Sequence, residues 1–326
     1  MNINIIGAGT WGTTLGCLLE KKDHNIVIWQ RSENKANNIS VDRIHPNISN
    51  YKIPNSIEFT SELSQLDFNN LTILAVPSHA LADILSKINI DNTRFLIASK
   101  GFEVNLGILQ SELLQQKFNV NNDNIAVLSG PNHAEEIIIG KASASVIAST
   151  NDKFAKELQT LFSSEIFRIY TTNDVIGVQV GAAVKNVIAI ASGLCVGLDL
   201  GDNTQAALVS RGMNEILNFD MIFDLNSRTL YGLSGLGDLV ATCYSKHSRN
   251  RTLGIMIAEG RSIDEAKDEI GMVAEGINTC RILSKISINN NIEMPICNEV
   301  YKILFEGANP KDSINKLMTR RLKVEN

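Results

Sequence analysis

The sequence is poor in the residues that build redox or metal frameworks. Its 326 residues hold five cysteines and five histidines. They are scattered singly, with no CxxC pair, so neither a disulfide scaffold nor a metal site is expected, and the usage fits a reducing cytoplasm. Basic charge is not in surplus either: 30 Lys and Arg against 35 Asp and Glu give a net charge of −5. A nucleic-acid binder would ordinarily be basic, so no nucleic-acid partner is expected. Met1 runs straight into a strand-like NINII with no basic leader or cleavage signature. Charge is scarcest between Asp174 and Asp199, where VIGVQVGAAVKNVIAIASGLCVGL carries Lys185 as its one charged side chain. The run is long enough to span a bilayer. A lysine at its centre, the glycines Gly181, Gly193 and Gly197 and the acidic flanks fit a buried helix better, so no integral membrane segment is expected.

What is present has the texture of two domains. An apolar fraction of 44% is ample for cores in a chain of this length. The first half alternates short β-branched runs (NINII, NIVIW, LTILAV, RFLIAS, IAVLSG, SASVIAS, IFRIYT) with helical stretches near 11–21, 78–88, 107–117, 132–139 and 152–162. That alternation predicts a Rossmann-like, doubly wound α/β sheet. After Thr172 strand patterns stop, and helical patterns follow at 175–197, 204–218, 227–231, 249–260, 263–268, 275–290 and 296–306. We expect a dinucleotide-binding domain over 1–173 and an all-α substrate-binding and catalytic domain over 174–326.

Gly7-Ala-Gly9-Thr10-Trp11-Gly12 is a G-x-G-x-x-G between a strand and a helix. Gly7 suits the tight turn, Gly9 the close approach of a pyrophosphate, and Gly12 the packing of helix on strand. The second strand is followed by Gln30-Arg31-Ser32-Glu33. An NAD site expects an acid at its end. Arg31 instead suits a 2′-phosphate, so NADPH is favoured over NADH, with Glu33 holding ribose hydroxyls as the alternative.

Burying Lys185 costs free energy unless it is paired or loses its proton, and the same desolvation brings a lysine into the range of proton transfer. On a helix its neighbours on the same face would be Gly181, Ala182, Ala189 and Ser192, all small, leaving space for a substrate or another backbone. The glycine-rich Gly232–Gly237 ends in Asp238, a carboxylate suited to hold a lysine or a hydroxyl. Ser248-Arg249-Asn250-Arg251 at a helix start suits a phosphate. Lys100 and the Gly130-Pro-Asn132-His133 turn each follow a strand at the end of the sheet where ligands bind. His79 and His133 are read as structural.

Together these segments resemble the bacterial, soluble type of the NAD(P)-dependent glycerol-3-phosphate dehydrogenase family. The similarity runs through GAGTWGTTL (7–15), VPSHAL (76–81), SKGFE (99–103), LSGPNHAEEI (128–137), IGVQVGAAVKNVIAIASG (176–193), GDNTQAALVSRGMNE (201–215), GLSGLGDLVATC (232–243), HSRNR (247–251), VAEG (273–276) and EMPICNEVY (293–301). The resemblance implies interconversion of dihydroxyacetone phosphate and sn-glycerol 3-phosphate for phospholipid synthesis, in a cytoplasmic homodimer. It implies that Lys185 is the proton donor and acceptor, with Asp238 orienting it. Lys100, Gly130, Asn132, Asp238, Ser248, Arg249 and Asn250 are then substrate contacts. Thr10, Trp11, Arg31, Lys100, Ala134, Arg249, Val273 and Glu275 are cofactor contacts. Two positions depart from the usual pattern: Asn132 stands where Ser or Thr is common, and His133 where Phe is common. The rival readings are another two-domain NAD(P)-dependent dehydrogenase of 3-hydroxy acids or sugar acids, and a non-catalytic NAD(P)H-binding module.

Overall fold

A computed structural model describes residues 1–322 and 324–325. The alternating apolar runs of the first half become strands β1 Asn2–Ile6, β2 Asn25–Trp29, β3 Ile44–His45, β4 Ile48–Lys52, β5 Glu58–Thr60, β6 Leu71–Leu74, β7 Arg94–Ile97, β8 Ile125–Ser129, β9 Ser143–Ala148 and β10 Phe167–Thr172. One sheet of eight has the order β10-β9-β8-β7-β6-β1-β2-β5, and β3 pairs with β4 in a separate hairpin. Pairings in the large sheet are parallel except β8 with β9. Along β1, Ile3 and Ile5 enter one apolar cluster and Ile6 enters another, so both faces of the sheet are covered. Strand order reverses between β6 and β1, the place where open α/β sheets receive ligands. The Rossmann-like expectation therefore holds.

The chain divides into two compact units, Met1–Ala182 with Arg228–Asp238, and Ala183–Ser227 with Leu239–Asn326. The sheet unit contains features the hydrophobic pattern does not announce. Helix Glu33–Asp42 buries only Ala36 and Ile39; its ends are set by the Ser32 cap and by Arg43 in the left-handed region. The expected helix over 132–139 shortens to Ala134–Ile137, and that over 107–117 begins at Gln110, because Phe102 and Leu109 pair across a tight loop. The edge pair β9–β10 runs against the other strands, which brings the start of β9 beside the end of β8.

The second unit is helical. Val175–Gly197 is one unbroken helix that passes from the first unit into the second. It has the length and apolarity of a membrane span, yet 89% of its most apolar window is buried inside the protein. Its glycines permit close packing. A Cβ on Gly193 would lie 2.0 Å from the Arg251 carbonyl oxygen, and one on Gly254 2.1 Å from that of Ile190. Helices Val175–Gly197 and Arg249–Ala258 thus meet backbone to backbone. Ser192 Oγ donates to the Cys243 carbonyl and accepts from Gln205 Nε2, tying helix Gly201–Leu217 to the same core.

Two buried polar groups fasten further helices. The Asn250 amide donates to Asn186 Oδ1 at 2.9 Å and accepts from the Gly276 N–H at 3.0 Å. Glu215, 3% exposed, accepts from the N–H groups of Ile296 and Cys297 at the start of helix Pro295–Phe305. Burial raises its carboxyl to about 7, against the pull of those two amides. All five cysteines are buried thiols outside any disulfide. Burial lifts the Cys17 and Cys280 thiols to about 12 and that of Cys195 to about 11.

Because Glu215 holds its proton more tightly folded than unfolded, the folded state binds more protons between pH 4.5 and 7. Its contribution is full below that window and is lost as pH rises through 7. The melting temperature of the native protein relative to Glu215→Gln should fall between pH 5 and pH 8, and scanning calorimetry at a series of pH values will measure it. Asn250→Ala takes the acceptor from the buried Gly276 N–H and removes the bridge to Asn186. It should cost roughly 2–4 kcal/mol by urea titration, whereas replacing an exposed helix residue such as Lys285 should cost under about 0.5 kcal/mol.

Candidate active site

The glycine-rich turn after β1 is tightly packed at two glycines and open at the third. Gly7 has φ +118°, and a Cβ there would strike the Ala75 carbonyl oxygen at 2.6 Å. Gly12 leaves no room for a side chain, since a Cβ would lie 2.0 Å from Gly7 O. Gly9 is the opposite case: nothing lies within 4 Å of where its Cβ would stand. It is also the N-cap of helix Thr10–Glu20, with no capping side chain and no acid in the first turn. An open approach to uncapped amides at the positive end of a helix fits a pyrophosphate. Thr10 Oγ1 and Trp11 Nε1 are buried without a hydrogen-bond partner in this structure, two donors in the first turn of that helix. The Trp11 ring stands edge-on to Phe167, centroids 6.4 Å apart. At the end of β2, Arg31 is exposed, Ser32 caps the next helix, and Glu33 begins it. The donors and the opening suit a dinucleotide.

A second cluster of the same unit gathers at the ends of β7 and β8. Lys100 Nζ donates to Asp238 Oδ2 at 2.7 Å, to Asn132 Oδ1 at 2.9 Å and to the Gly130 carbonyl at 3.1 Å. Asp238 is 2% exposed, so this ion pair is screened far less than a surface one. Gly130 has φ +148°, and a Cβ on it would press the Ser145 backbone at 2.8 Å. Asn132 Nδ2 in turn donates to Ser145 Oγ at 3.3 Å. Asparagine at position 132 therefore acts as both acceptor and donor, which a carboxamide does readily. His133 is the N-cap of helix Ala134–Ile137 with no side-chain cap bond, and Ala134 is buried as that helix begins. Asp238 itself opens helix Asp238–Tyr244, directly after a one-turn π-helix at Leu233–Gly237. The turn fits because Gly181 lets it approach: a Cβ there would lie 3.0 Å from Ser234 O. The space foreseen beside Lys185 is thus partly filled by backbone.

In the helical unit Lys185 is 4% exposed, and its Nζ donates to Thr242 Oγ1 at 2.6 Å. Its chain neighbour Asn186 meets Asn250. Ser248 is the N-cap of helix Arg249–Ala258, accepting from the Arg251 N–H, and Arg249 is exposed in its first turn. Arg249 Nη1 donates to the Val273 carbonyl at 3.0 Å, beside half-buried Glu275, which begins helix Glu275–Asn290. The sequence motifs 185–186, 248–250 and 273–276 are thereby brought to one place. Among the described residues no group of three His, Cys, Asp or Glu is placed to hold a metal. His79 is exposed.

Thr242, Ser145 and Asn186 are partners that the sequence reading missed. Thr242 stands four residues after Asp238 on one helix, a spacing that the glycine-rich run before it disguised as loop. Ser145 was invisible because its placement depends on β9 turning back antiparallel to β8.

Residues 2–155 match the N-terminal part, and residues 174–315 the C-terminal part, of the family described as NAD-dependent glycerol-3-phosphate dehydrogenase. The chain is 40% identical to the glycerol-3-phosphate dehydrogenase [NAD(P)+] of Thermoanaerobacter sp. (strain X514), over 100% of this chain and 99% of that protein. It is 38% identical to that of Fusobacterium nucleatum, over 100% and 98%. A crystal structure of glycerol-3-phosphate dehydrogenase from Coxiella burnetii superposes with a TM-score of 0.93 at 32% identity, covering 98% of this chain and 99% of that one. The chain belongs to the NAD-dependent glycerol-3-phosphate dehydrogenase family.

Proposed function

We propose that the protein interconverts dihydroxyacetone phosphate and sn-glycerol 3-phosphate with NAD(P)H, supplying glycerol phosphate for phospholipid synthesis. The observation that carries this reading is Lys185, an amine 4% exposed with a hydroxyl partner at 2.6 Å in a helix with no other charged side chain. Residues 1–173 serve the dinucleotide and residues 174–326 the substrate and the proton. A cytoplasmic homodimer is part of the proposal, on the strength of the family resemblance.

When bound, NAD(P)H supplies a hydride to the keto carbon. Lys185 donates its proton to the oxygen of that carbon as it becomes an alkoxide, and water restores the proton afterwards. Thr242 Oγ accepts from the amine and so fixes its direction. Lys100 adds positive charge near the developing oxyanion, held in place by Asp238, Asn132 and Gly130. Ser248, Arg249 and Asn250 take the substrate phosphate. The Ser248 oxygen accepts from Arg251 while its O–H can still donate. The Asn250 amide nitrogen has a second hydrogen beyond the one given to Asn186, and a guanidinium with five donors can hold the Val273 carbonyl and an anion together. Binding energy from the phosphate orients the reacting end. Gly7, Gly9 and Gly12 shape the dinucleotide turn, with Thr10, Trp11, Ala134, Val273 and Glu275 as further contacts. Exposed Arg31 favours NADPH.

Oxidation of NADPH with dihydroxyacetone phosphate, followed at 340 nm, tests the reaction; small keto acids in its place should give no comparable turnover. Lys185→Ala should lower kcat by about a hundredfold or more while NADPH still binds in a fluorescence titration. The ratio of kcat/KM for NADPH over NADH should exceed one and should fall by roughly tenfold in Arg31→Ala, as expected for one lost charge-assisted bond.

A further inference from the structure

The hairpin β3–β4 has no part in the large sheet, yet it reaches the cofactor turn. His45, 6% exposed, ends β3 and faces Ile48 across the two-residue turn Pro46-Asn47. The Asn47 N–H donates to His45 Nδ1 at 3.1 Å. A nitrogen that accepts cannot carry the proton, so in the neutral ring the proton sits on Nε2. Nε2 lies 3.1 Å from the carbonyl oxygen of Ala8 and therefore donates to it. Ala8 stands between Gly7 and Gly9 of the G-x-G-x-x-G.

This bond fixes more than one oxygen. In a trans peptide the C=O and the following N–H point in opposite directions. Drawing Ala8 O toward His45 turns the Gly9 N–H the other way and sets the plane of the Ala8–Gly9 peptide. Gly9 has neither a side chain nor a near neighbour to set that plane itself, with nothing within 4 Å of its Cβ position. The same glycine is the N-cap whose amides receive the anion.

The hairpin is anchored without His45. Ile48, Ile53 and Ile57 are buried in the core cluster under helix Thr10–Glu20. The Ile53 N–H donates to Arg43 O at 2.8 Å, and Arg43 Nη1 donates to Ile57 O at 2.7 Å and to Pro54 O at 3.4 Å. The Arg43 charge is thus spent on carbonyls. The charged group that acts on the ring from outside its own segment is Glu135, on helix Ala134–Ile137. Burial keeps the imidazole below its ordinary range, and the Ala8 carbonyl and Glu135 only partly offset that. The ring is accordingly neutral at pH 7, the form that makes both bonds.

We propose that His45 is a positioning residue for the dinucleotide: its Nε2–H, selected by the Asn47 amide, locks the Ala8–Gly9 peptide in the orientation that presents amides to the phosphates. This rests on the reading of the turn as a dinucleotide site. The test compares native protein, His45→Leu and His45→Gln. The glutamine amide nitrogen stands as many bonds from Cβ as Nε2 does and can make the same donation. NADPH affinity by nicotinamide fluorescence should weaken about tenfold in His45→Leu and recover to within about threefold of native in His45→Gln. KM for NADPH should follow, with kcat at saturation retained and the melting temperature of the ligand-free proteins unchanged. Nitrogen-15 NMR of the native imidazole should show Nδ1 bare and Nε2 protonated at pH 7.5. Native affinity in His45→Leu, equal weakening in both variants, weakening that tracks a fall in melting temperature, or the opposite tautomer would each overturn the proposal. If the native protein bound no NAD(P)H, the dinucleotide reading itself would fall, and this inference with it.

Discussion

The Asn250 carboxamide joins three helices through two buried hydrogen bonds. It meets Asn186, next to Lys185; it adjoins Arg249; and it holds the N–H of Gly276, next to Glu275. Both ends of one planar group are used, so the three backbones are set relative to one another with little freedom. A buried amide with both partners in place is stabilising, and one with a partner missing is costly, which makes such a knot specific as well as strong. Lys185, the start of helix Arg249–Ala258 and the 273–276 segment are thus positioned by a residue whose hydrogen bonds are mostly architectural.

Gly193 and Gly254 make that knot geometrically accessible. Ordinary helices stand 8–10 Å apart, held off by side chains. Here the backbone of one helix lies against the other, because a Cβ on either glycine would overlap a carbonyl oxygen. The short arms of Asn186 and Asn250 then suffice to bridge them. In the sheet unit, Gly181 and Gly130 play a similar part, letting the π-turn before Asp238 and the start of β9 come close enough for Lys100 to find three acceptors.

Much of this was legible in the sequence because it rests on short-range rules. The G-x-G-x-x-G between strand and helix, the uninterrupted apolar helix around Lys185, and the Ser248 cap before Arg249 each have a local cause. Less legible were features fixed by tertiary contact. Helix Glu33–Asp42 has almost no apolar face. Strand β5 is three residues long. The antiparallel return of β9, which brings Ser145 to Asn132, is written in no single segment. The partner of Lys100 shows the same limit: a lysine after β7 and an aspartate 138 residues later can be paired only once the fold has been made.

The sequestered thiols carry a consequence for how the protein ages. A sulfur reacts with peroxide or alkylating agents as its thiolate, and burial that holds Cys17 and Cys280 at about 12 leaves almost none of that form near neutrality. Oxidative damage must then wait for the chain to open. The rate at which these sulfurs become modified is a clock for the opening of the fold, and ligands that keep it shut will slow that clock.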